Sequence, residues 1–267
     1  MIEIVDLHVR YRWRQEPILK GVHARFKDKH LILGPNGSGK TTLFRAIAGL
    51  TPISSGRILL DGVSLDKIYG RPGVLAANLS EVYSVFHLSA YDHLRLFMDL
   101  TGGDLDSALK MLGDLGLSVG LLRRRKPWEL SAGQQKAFST VIALFSNAKH
   151  VLLDEPFEQL DPARKGRLIE HLREYKGVLL LNTHETWLLS ALRDWSTHLM
   201  FEGKLYDPVR AGELVEAGLV AGDMPNAMLR FTVSGKTYSL VRGGVGEPLS
   251  NLITLDRIYE LSLGQGN

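Results

Sequence analysis

Short aliphatic runs alternate with stretches of helical periodicity through most of the chain. The runs Val151–Leu153 and Val178–Leu181 contain no polar residue, a pattern typical of strands buried on both faces of a parallel sheet. Between about residues 85 and 130 such runs are absent, and leucines and methionines recur at helical spacing. The pattern therefore predicts an α/β core that carries a helical insertion at about 85–130.

The pattern of hydrophobic and polar residues changes again after about residue 205. Two alternating segments, 228–233 and 236–241, flank the pair Ser234-Gly235, which is a β-hairpin pattern with the turn at Ser-Gly. We therefore expect two domains: a core at 1–205 and a small α+β extension at 206–267.

Composition narrows the class of protein. The 267 residues are 45% hydrophobic and 23% charged, as in ordinary globular proteins. The absence of cysteine excludes disulfides and thiolate metal sites. No signal peptide is evident, and no apolar run reaches the roughly 18 residues of a membrane span, so the chain is not expected to cross a membrane by itself. A net charge of +3 is too small to indicate a nucleic-acid partner. The basic run 123–126 is the one dense cluster of positive charge, and it is either a solvated face or a binding patch.

The strongest chemical motif is Gly34-Pro-Asn-Gly-Ser-Gly-Lys-Thr41, a full match to G-x-x-x-x-G-K-[ST]. It follows a strand-like segment and opens a helical one, as a phosphate-binding loop must. Glycines allow the backbone to wrap around phosphate, Lys40 reaches the β- and γ-phosphates, and the Thr41 hydroxyl ligates Mg²⁺. The motif predicts a nucleoside triphosphate and Mg²⁺ as ligands, with Asn36, Gly37, Ser38, Gly39, Lys40, Thr41 and Thr42 as the residues around the phosphates; the family resemblance described below implies that the nucleotide is ATP.

Two acids follow the apolar run at 151–153. Asp154 lies at the predicted carboxyl end of a buried strand, where a hard oxygen ligand for Mg²⁺ is expected. Glu155 comes next and could accept a proton from the water that attacks the γ-phosphate. Paired acids at a strand end can also be helix-capping residues, but their position downstream of a phosphate loop favours the catalytic interpretation.

Taken in order, these motifs resemble the nucleotide-binding domain of ATP-binding-cassette (ABC) ATPases. The resemblance covers about residues 1–205 and rests on 34–41, "LSAGQ" at 130–134, "LLDEP" at 152–156, "QLD" at 159–161 and "NTHE" at 182–185. Within the family it is closest to importer cassettes, including the cobalt and energy-coupling-factor type. The resemblance implies a P-loop NTPase core with a mostly parallel sheet, an antiparallel β subdomain, the helical insertion and the C-terminal extension.

The resemblance also assigns roles to individual residues. Ser131, Ala132, Gly133 and Gln134 match the loop that holds the γ-phosphate of a nucleotide bound to a second subunit. Ala132 replaces a glycine of the family, so its backbone must avoid the left-handed region. His184 matches the histidine that contacts the γ-phosphate and orients the attacking water. Asp161 matches an aspartate that couples the two sites of a dimer.

Two further assignments leave alternatives open. Tyr11 resembles the aromatic residue that stacks on adenine, with Trp13 as a rival and a simple sheet-edge position as another interpretation. The family has a glutamine before the helical insertion that ligates Mg²⁺ and senses the transporter. Asn78 aligns there, with Glu81 as the neighbouring option, and we expect Asn78 to serve as the metal ligand.

The expected function is that of an ATPase subunit of a membrane transporter. Two copies, or this chain and a paralogous ATPase, would close head-to-tail on two ATP molecules and drive an integral membrane subunit from the cytoplasmic face of the membrane. Tyr83, Val85, Phe86 and Tyr91 either line the groove for that subunit or belong to a hidden core. The alternative is a soluble ABC ATPase that acts on nucleic acid or ribosomes.

Overall fold

The computed structural model describes residues 1–12, 15–68, 70–82, 87–243, 246–251 and 255–258. The strands are β1 (Ile2–Val9), β2 (Leu19–Phe26), β3 (Lys29–Leu33), β4 (Ser55–Leu60), β5 (Val63–Ser64), β6 (Leu75–Ala77), β7 (His150–Asp154), β8 (Val178–Thr183), β9 (Ser196–Phe201), β10 (Lys204–Leu205), β11 (Val209–Arg210), β12 (Gly218–Ala221), β13 (Leu229–Val233), β14 (Lys236–Val241) and β15 (Glu247–Pro248). The α-helices are α1 (Lys40–Ile47), α2 (Leu65–Ile68), α3 (Ala90–Thr101), α4 (Leu105–Asp114), α5 (Val119–Arg124), α6 (Ala132–Phe145), α7 (Pro162–Glu174), α8 (Trp187–Ala191) and α9 (Ala211–Val215).

The chain divides into two units, one formed by residues 1–64 with 182–267 and the other by residues 65–181. The first unit begins with an antiparallel sheet in the order β2-β1-β4-β5. Its central strand β1 buries Ile2, Ile4, Leu7 and Val9 almost completely. A register shift between Ile4 and Leu7 moves the alternation by one residue, so both halves of the strand contribute buried side chains to the core of this unit.

The strand that leads into the phosphate loop is buried on both faces. In β3, Leu31, Ile32 and Leu33 are fully buried, and β3 pairs in parallel with β9. Continuous burial of this kind is what uninterrupted aliphatic runs predict for parallel strands. The phosphate loop thus begins at the buried end of β3.

The C-terminal part of the first unit forms a separate sheet in the order β13-β14-β12-β15. The predicted hairpin is present, with Val233 opposite Lys236. Ser234 and Gly235 both have positive φ, 50° and 75°, as a two-residue type I′ turn requires. Phe231 of this sheet stacks on Phe201 of β9 with ring centroids 4.6 Å apart, so this sheet is packed against β9.

In the second unit, β6 pairs in parallel with β7, and β8 follows β7 in the sheet. Five residues of β7 and eight of α6 are buried, which makes α6 the helix that covers this part of the sheet. Helices α3, α4 and α5 span 90–124. The predicted α/β class, with parallel strands, antiparallel sheets and a helical segment, is confirmed. Among the described residues, no helix is both long enough and apolar enough to span a bilayer.

Candidate nucleotide-binding and hydrolysis site

The phosphate loop Gly34–Thr41 connects β3 to α1 in the first unit. The Gly34 N–H donates to the Thr183 carbonyl at 3.1 Å, and a Cβ at Gly34 would lie 2.3 Å from the Met200 carbonyl oxygen. The start of the loop is therefore held so closely against the end of β8 and against β9 that only glycine fits. Gly39 has a φ of 107°, which turns the chain into α1.

The interior of the loop contains the polar groups that a phosphate needs. The buried ammonium of Lys40 donates to the carbonyls of Gly34 and Pro35, at 2.7 and 3.0 Å. The buried Ser38 hydroxyl has no hydrogen-bond partner in the structure, as expected for a group that a bound ligand would satisfy. Thr41 and Thr42 lie in the first turn of α1, which contains no acidic residue. The loop therefore leads into the positive end of the α1 dipole, which favours an anion.

One contact to this loop has no counterpart in the sequence-based prediction. The Asp256 carboxylate accepts a hydrogen bond of 3.0 Å from the Asn36 backbone N–H. Its neighbour Leu255 and the following Ile258 are fully buried, so the short segment that carries Asp256 is docked within the first unit. No sequence signal pointed to this acid, because 220 residues separate it from Asn36.

Two further predicted site residues lie in the first unit. His184 directly follows β8 and is half-buried, between the buried Thr183 and a Glu185 whose N–H donates to the Thr183 hydroxyl at 3.1 Å. Tyr11 lies two residues beyond β1 and is half-buried. Its rival Trp13 lies outside the described residues, so the choice between them stays a prediction.

The two acids after β7 lie in the second unit. Asp154 is the last residue of that strand and has 9% of its surface exposed. Glu155 follows with a φ of 45°, a left-handed conformation that is uncommon for a residue with a side chain. Its backbone is thus turned sharply at the point where a buried strand ends.

The Asn78 side chain is bound to the backbone at the end of β7. Its side chain is 1% exposed, and its amide oxygen accepts a hydrogen bond of 2.6 Å from the Asp154 N–H. Its amide nitrogen donates to the Asp154 carbonyl at 3.1 Å and to the Thr140 hydroxyl at 3.0 Å. The amide is thus engaged with the protein itself in this structure, and the role of Asn78 as a ligand of Mg²⁺ stays a prediction.

The segment Ser131–Gln134 forms the start of α6. The Ser131 hydroxyl accepts from the Gln134 N–H at 3.3 Å, and the Gln134 side chain accepts from the Ser131 N–H at 3.1 Å. This capping box closes the helix start. Ala132 is the first residue of α6 and is absent from the positive-φ residues, so the replacement of glycine costs no backbone strain here. Ser131 and Ala132 are exposed, as a surface for a second subunit must be.

Asp161 caps the next helix of the second unit. Its carboxylate accepts from the Arg164 N–H at 3.0 Å and forms an ion pair with the Arg164 side chain at 3.2 Å. It starts α7 two residues after Gln159, which has a φ of 60°.

Of the predicted groove residues, Tyr83, Val85 and Phe86 lie outside the described residues. Tyr91 is half-buried and lies 4.6 Å below the guanidinium of Arg123.

The residues that would hold Mg²⁺ fit that ion by their chemistry. The Thr41 hydroxyl and the Asp154 carboxylate are both hard oxygen donors, the kind that Mg²⁺ selects, and in phosphate-loop proteins the nucleotide phosphates supply further ligands. Within the described residues no cluster of three or more histidine, aspartate or glutamate side chains could hold a metal by itself.

The glycine-fixed loop before α1, with a buried lysine inside it, defines a P-loop nucleotide-binding protein. The family model described as ABC transporter matches residues 21–158. The thiamine import ATP-binding protein ThiQ of Ruegeria sp. (strain TM1040) is 33% identical over 199 residues, which are 71% of this chain and 84% of that protein. The chain belongs to the ABC transporter family.

Two other similarities extend this result. The energy-coupling factor transporter ATP-binding protein EcfA1 of Thermotoga maritima is 29% identical over 199 residues, 72% of this chain and 76% of that protein. The crystal structure of a cobalt transport ATP-binding protein is 35% identical, with a TM-score of 0.90, and covers 98% of this chain and 100% of its own. The predicted function is confirmed: the chain is an ATP-binding, ATP-hydrolysing subunit of an ABC transporter.

Proposed function

We propose that the loop Gly34–Thr41 holds the triphosphate of ATP and that Lys40 neutralises its β- and γ-phosphates. The observation that carries this proposal is the loop itself, with its fixed first glycine, its buried ammonium and its unpartnered Ser38 hydroxyl. When Mg²⁺ is bound, Thr41 and Asp154 hold it, and it offsets negative charge on the phosphates. Tyr11 supplies an aromatic face for the adenine.

Hydrolysis then requires a base and a group that orients the attacking water. We assign the first role to Glu155, whose carboxylate accepts the proton of that water, and the second to His184. Lys40 and the loop amides stabilise charge as the bond to the γ-phosphate breaks. The strained backbone of Glu155 supports this assignment, because such strain is concentrated at functional sites.

The active form in this proposal is a head-to-tail dimer, with this chain or with a paralogous ATPase. The segment Ser131–Gln134 of one subunit, of which Ser131 and Ala132 are exposed, contacts the γ-phosphate held by the other, through the amides at the start of α6. Asp161 couples the two sites. Closure of the dimer on two ATP molecules, followed by hydrolysis, drives the membrane partner between its states.

The partner in this proposal is an integral membrane transporter subunit at the cytoplasmic face. Residues 206–267 act as an extension of a cassette at 1–205. The relatives' names span thiamine import, energy-coupling-factor transport and cobalt transport. This range supports the view that the membrane partner selects the cargo and that the cassette supplies the energy.

Glu155→Gln tests the proposed chemistry. The variant should bind ATP as tightly as the wild type, accumulate as a dimer with ATP and Mg²⁺, and lose turnover, since a neutral amide cannot accept the proton. Glu158→Gln, an exposed acid three residues on, is the matched control and should retain turnover. Lys40→Ala should instead weaken ATP binding itself. Gel filtration that finds only monomer, together with persistent turnover in Glu155→Gln, would refute both the base and the shared site.

The alternative, a soluble ABC ATPase acting on nucleic acid or ribosomes, predicts a different response. In that case RNA or DNA would stimulate hydrolysis in the absence of any membrane protein. Co-purification of the chain with an integral membrane protein from detergent extracts, and no stimulation by nucleic acid, would support the transporter assignment.

A further inference from the structure

The backbone of Asp154 is bound by side chains from two other elements of the second unit. Its N–H donates to the Asn78 amide oxygen at 2.6 Å. Its carbonyl accepts from the Asn78 amide nitrogen at 3.1 Å and from the Lys136 ammonium at 2.9 Å. Asn78 thus pairs with both polar groups of Asp154 as a neighbouring strand would, just beyond the last paired residue of β6, and Lys136 adds a charged donor to the same carbonyl.

The two side chains that bind the Asp154 backbone, Lys136 and Asn78, are both connected to helix α6. Lys136 belongs to this helix, and so does Thr140, whose hydroxyl accepts the second amide hydrogen of Asn78 at 3.0 Å. Residues four apart lie on the same face of a helix, so α6 holds the Asp154 backbone once directly and once through Asn78. Thr140 is fully buried, and Asn78 is 1% exposed. These contacts are therefore fixed by the packing of α6 on the sheet.

The group that α6 holds is the peptide that leads into Glu155. A peptide unit is planar, so a fixed Asp154 carbonyl also fixes the nitrogen of Glu155 and the starting direction of that residue. Glu155 has a φ of 45°, which its side chain disfavours and which persists only where the surroundings impose it. Two donors on the preceding carbonyl fix the peptide plane on the N-terminal side of this residue.

We infer that Lys136 and Asn78 are positioning residues for ATP hydrolysis. They hold the Asp154–Glu155 peptide in the orientation that aims the Glu155 carboxylate, and they connect that orientation to the helix that begins with Ser131–Gln134. The inference rests on the proposed role of Glu155 as the base. It gives the second subunit's nucleotide, bound at the start of α6, a direct mechanical connection to the acid at the end of β7.

Lys136→Met is the primary test, because it removes the ammonium and keeps the helix-forming stem. We expect kcat to fall about 10- to 100-fold, since displacement of a catalytic group by about 1 Å costs about 100-fold. The KM and the Kd for ATP should change less than about twofold, because Lys136 is not part of the phosphate loop. Lys136→Arg should restore most of the rate by supplying a donor. Lys110→Met, an exposed lysine on α4, is the control and should match the wild type.

Two further variants distinguish a specific loss of hydrolysis from misfolding. Asn78→Ala should reproduce the selective loss of kcat and also lower the melting temperature, because it removes the buried hydrogen bonds that the Asn78 amide makes with Asp154 and Thr140. The double variant Lys136→Met/Glu155→Gln should still form the ATP-bound dimer that Glu155→Gln forms. Such a dimer would place the effect of Lys136 at hydrolysis and not at the contact with the second subunit.

The inference and the proposed function fail in different ways. If Glu155→Gln alone retains turnover, the proposed base is wrong. If Glu155→Gln behaves as proposed but Lys136→Met keeps a wild-type kcat, the positioning role is wrong. Loss of the ATP-bound dimer in the double variant would likewise overturn it, because Lys136 would then act through the start of α6.

Discussion

A buried pair of histidines should make the stability of the first unit depend on pH. His30 of β3 and His198 of β9 have ring centroids 5.4 Å apart, and His30 is 7% exposed. Burial, and secondarily the neighbouring His198, lower the pKa of His30 from 6.5 to about 4, against a small opposing effect of Asp28. Burial also lowers the pKa of His198. Both rings are therefore neutral in the folded protein at pH 7.

The sign and size of the effect follow from proton linkage. The unfolded chain binds a proton on His30 near pH 6.5, whereas the folded chain resists it down to about pH 4. The contribution of neutral His30 to the free energy of unfolding is therefore complete above pH 6.5 and is lost as the pH falls toward 4. At about 1.4 kcal/mol per pKa unit, the full loss from His30 is about 3 kcal/mol, of which about 2 kcal/mol is lost by pH 5.

The test compares the wild type with His30→Phe, which keeps an aromatic ring next to Phe26, 5.0 Å away, and removes the titrating group. Urea unfolding should give a lower free energy of unfolding at pH 5.0 than at pH 7.5. This decrease should be about 2 kcal/mol smaller in His30→Phe than in the wild type. His23→Gln removes a histidine whose side chain is 64% exposed and should leave the decrease unchanged. An equal decrease in wild type and His30→Phe would refute the reasoning.

Two further predictions concern the nucleotide. Asp256→Ala should tighten ATP binding about fivefold in titration calorimetry, because a carboxylate at the Asn36 N–H repels phosphate by about 1 kcal/mol even at the dielectric constant of water. Asp114→Ala on α4 is the control and should bind ATP like the wild type. Unchanged or weaker binding in Asp256→Ala would contradict the prediction. Ser131→Ala should cost about 1 kcal/mol of stability as a lost helix cap and also reduce turnover. Ser118→Ala, which removes the equivalent cap of α5, should show the loss of stability alone, and equal turnover in both variants would count against the role of Ser131.

The sequence predicts those parts of the molecule that are encoded locally. The phosphate loop, the buried strands β7 and β8 and the turn at Ser234-Gly235 each depend on residues adjacent in the chain. Their predictions needed only periodicity and turn chemistry. Contacts between distant segments leave no such pattern. The approach of Asp256 to Asn36 depends on the docking of a segment by Leu255 and Ile258, and nothing near either residue announces it.

Asn78 shows that a side chain chosen from sequence can have more than one partner that suits its chemistry. An amide offers an oxygen that suits Mg²⁺ and also a donor and acceptor pair that suits a peptide group. The choice depends on register: β6 ends with Ala77 opposite Leu152, which brings the next side chain to the backbone of Asp154 beyond the last strand pair. The sequence identifies the amide group, but its contact with the Asp154 backbone follows from the pairing of β6 with β7, which no local pattern around Asn78 encodes.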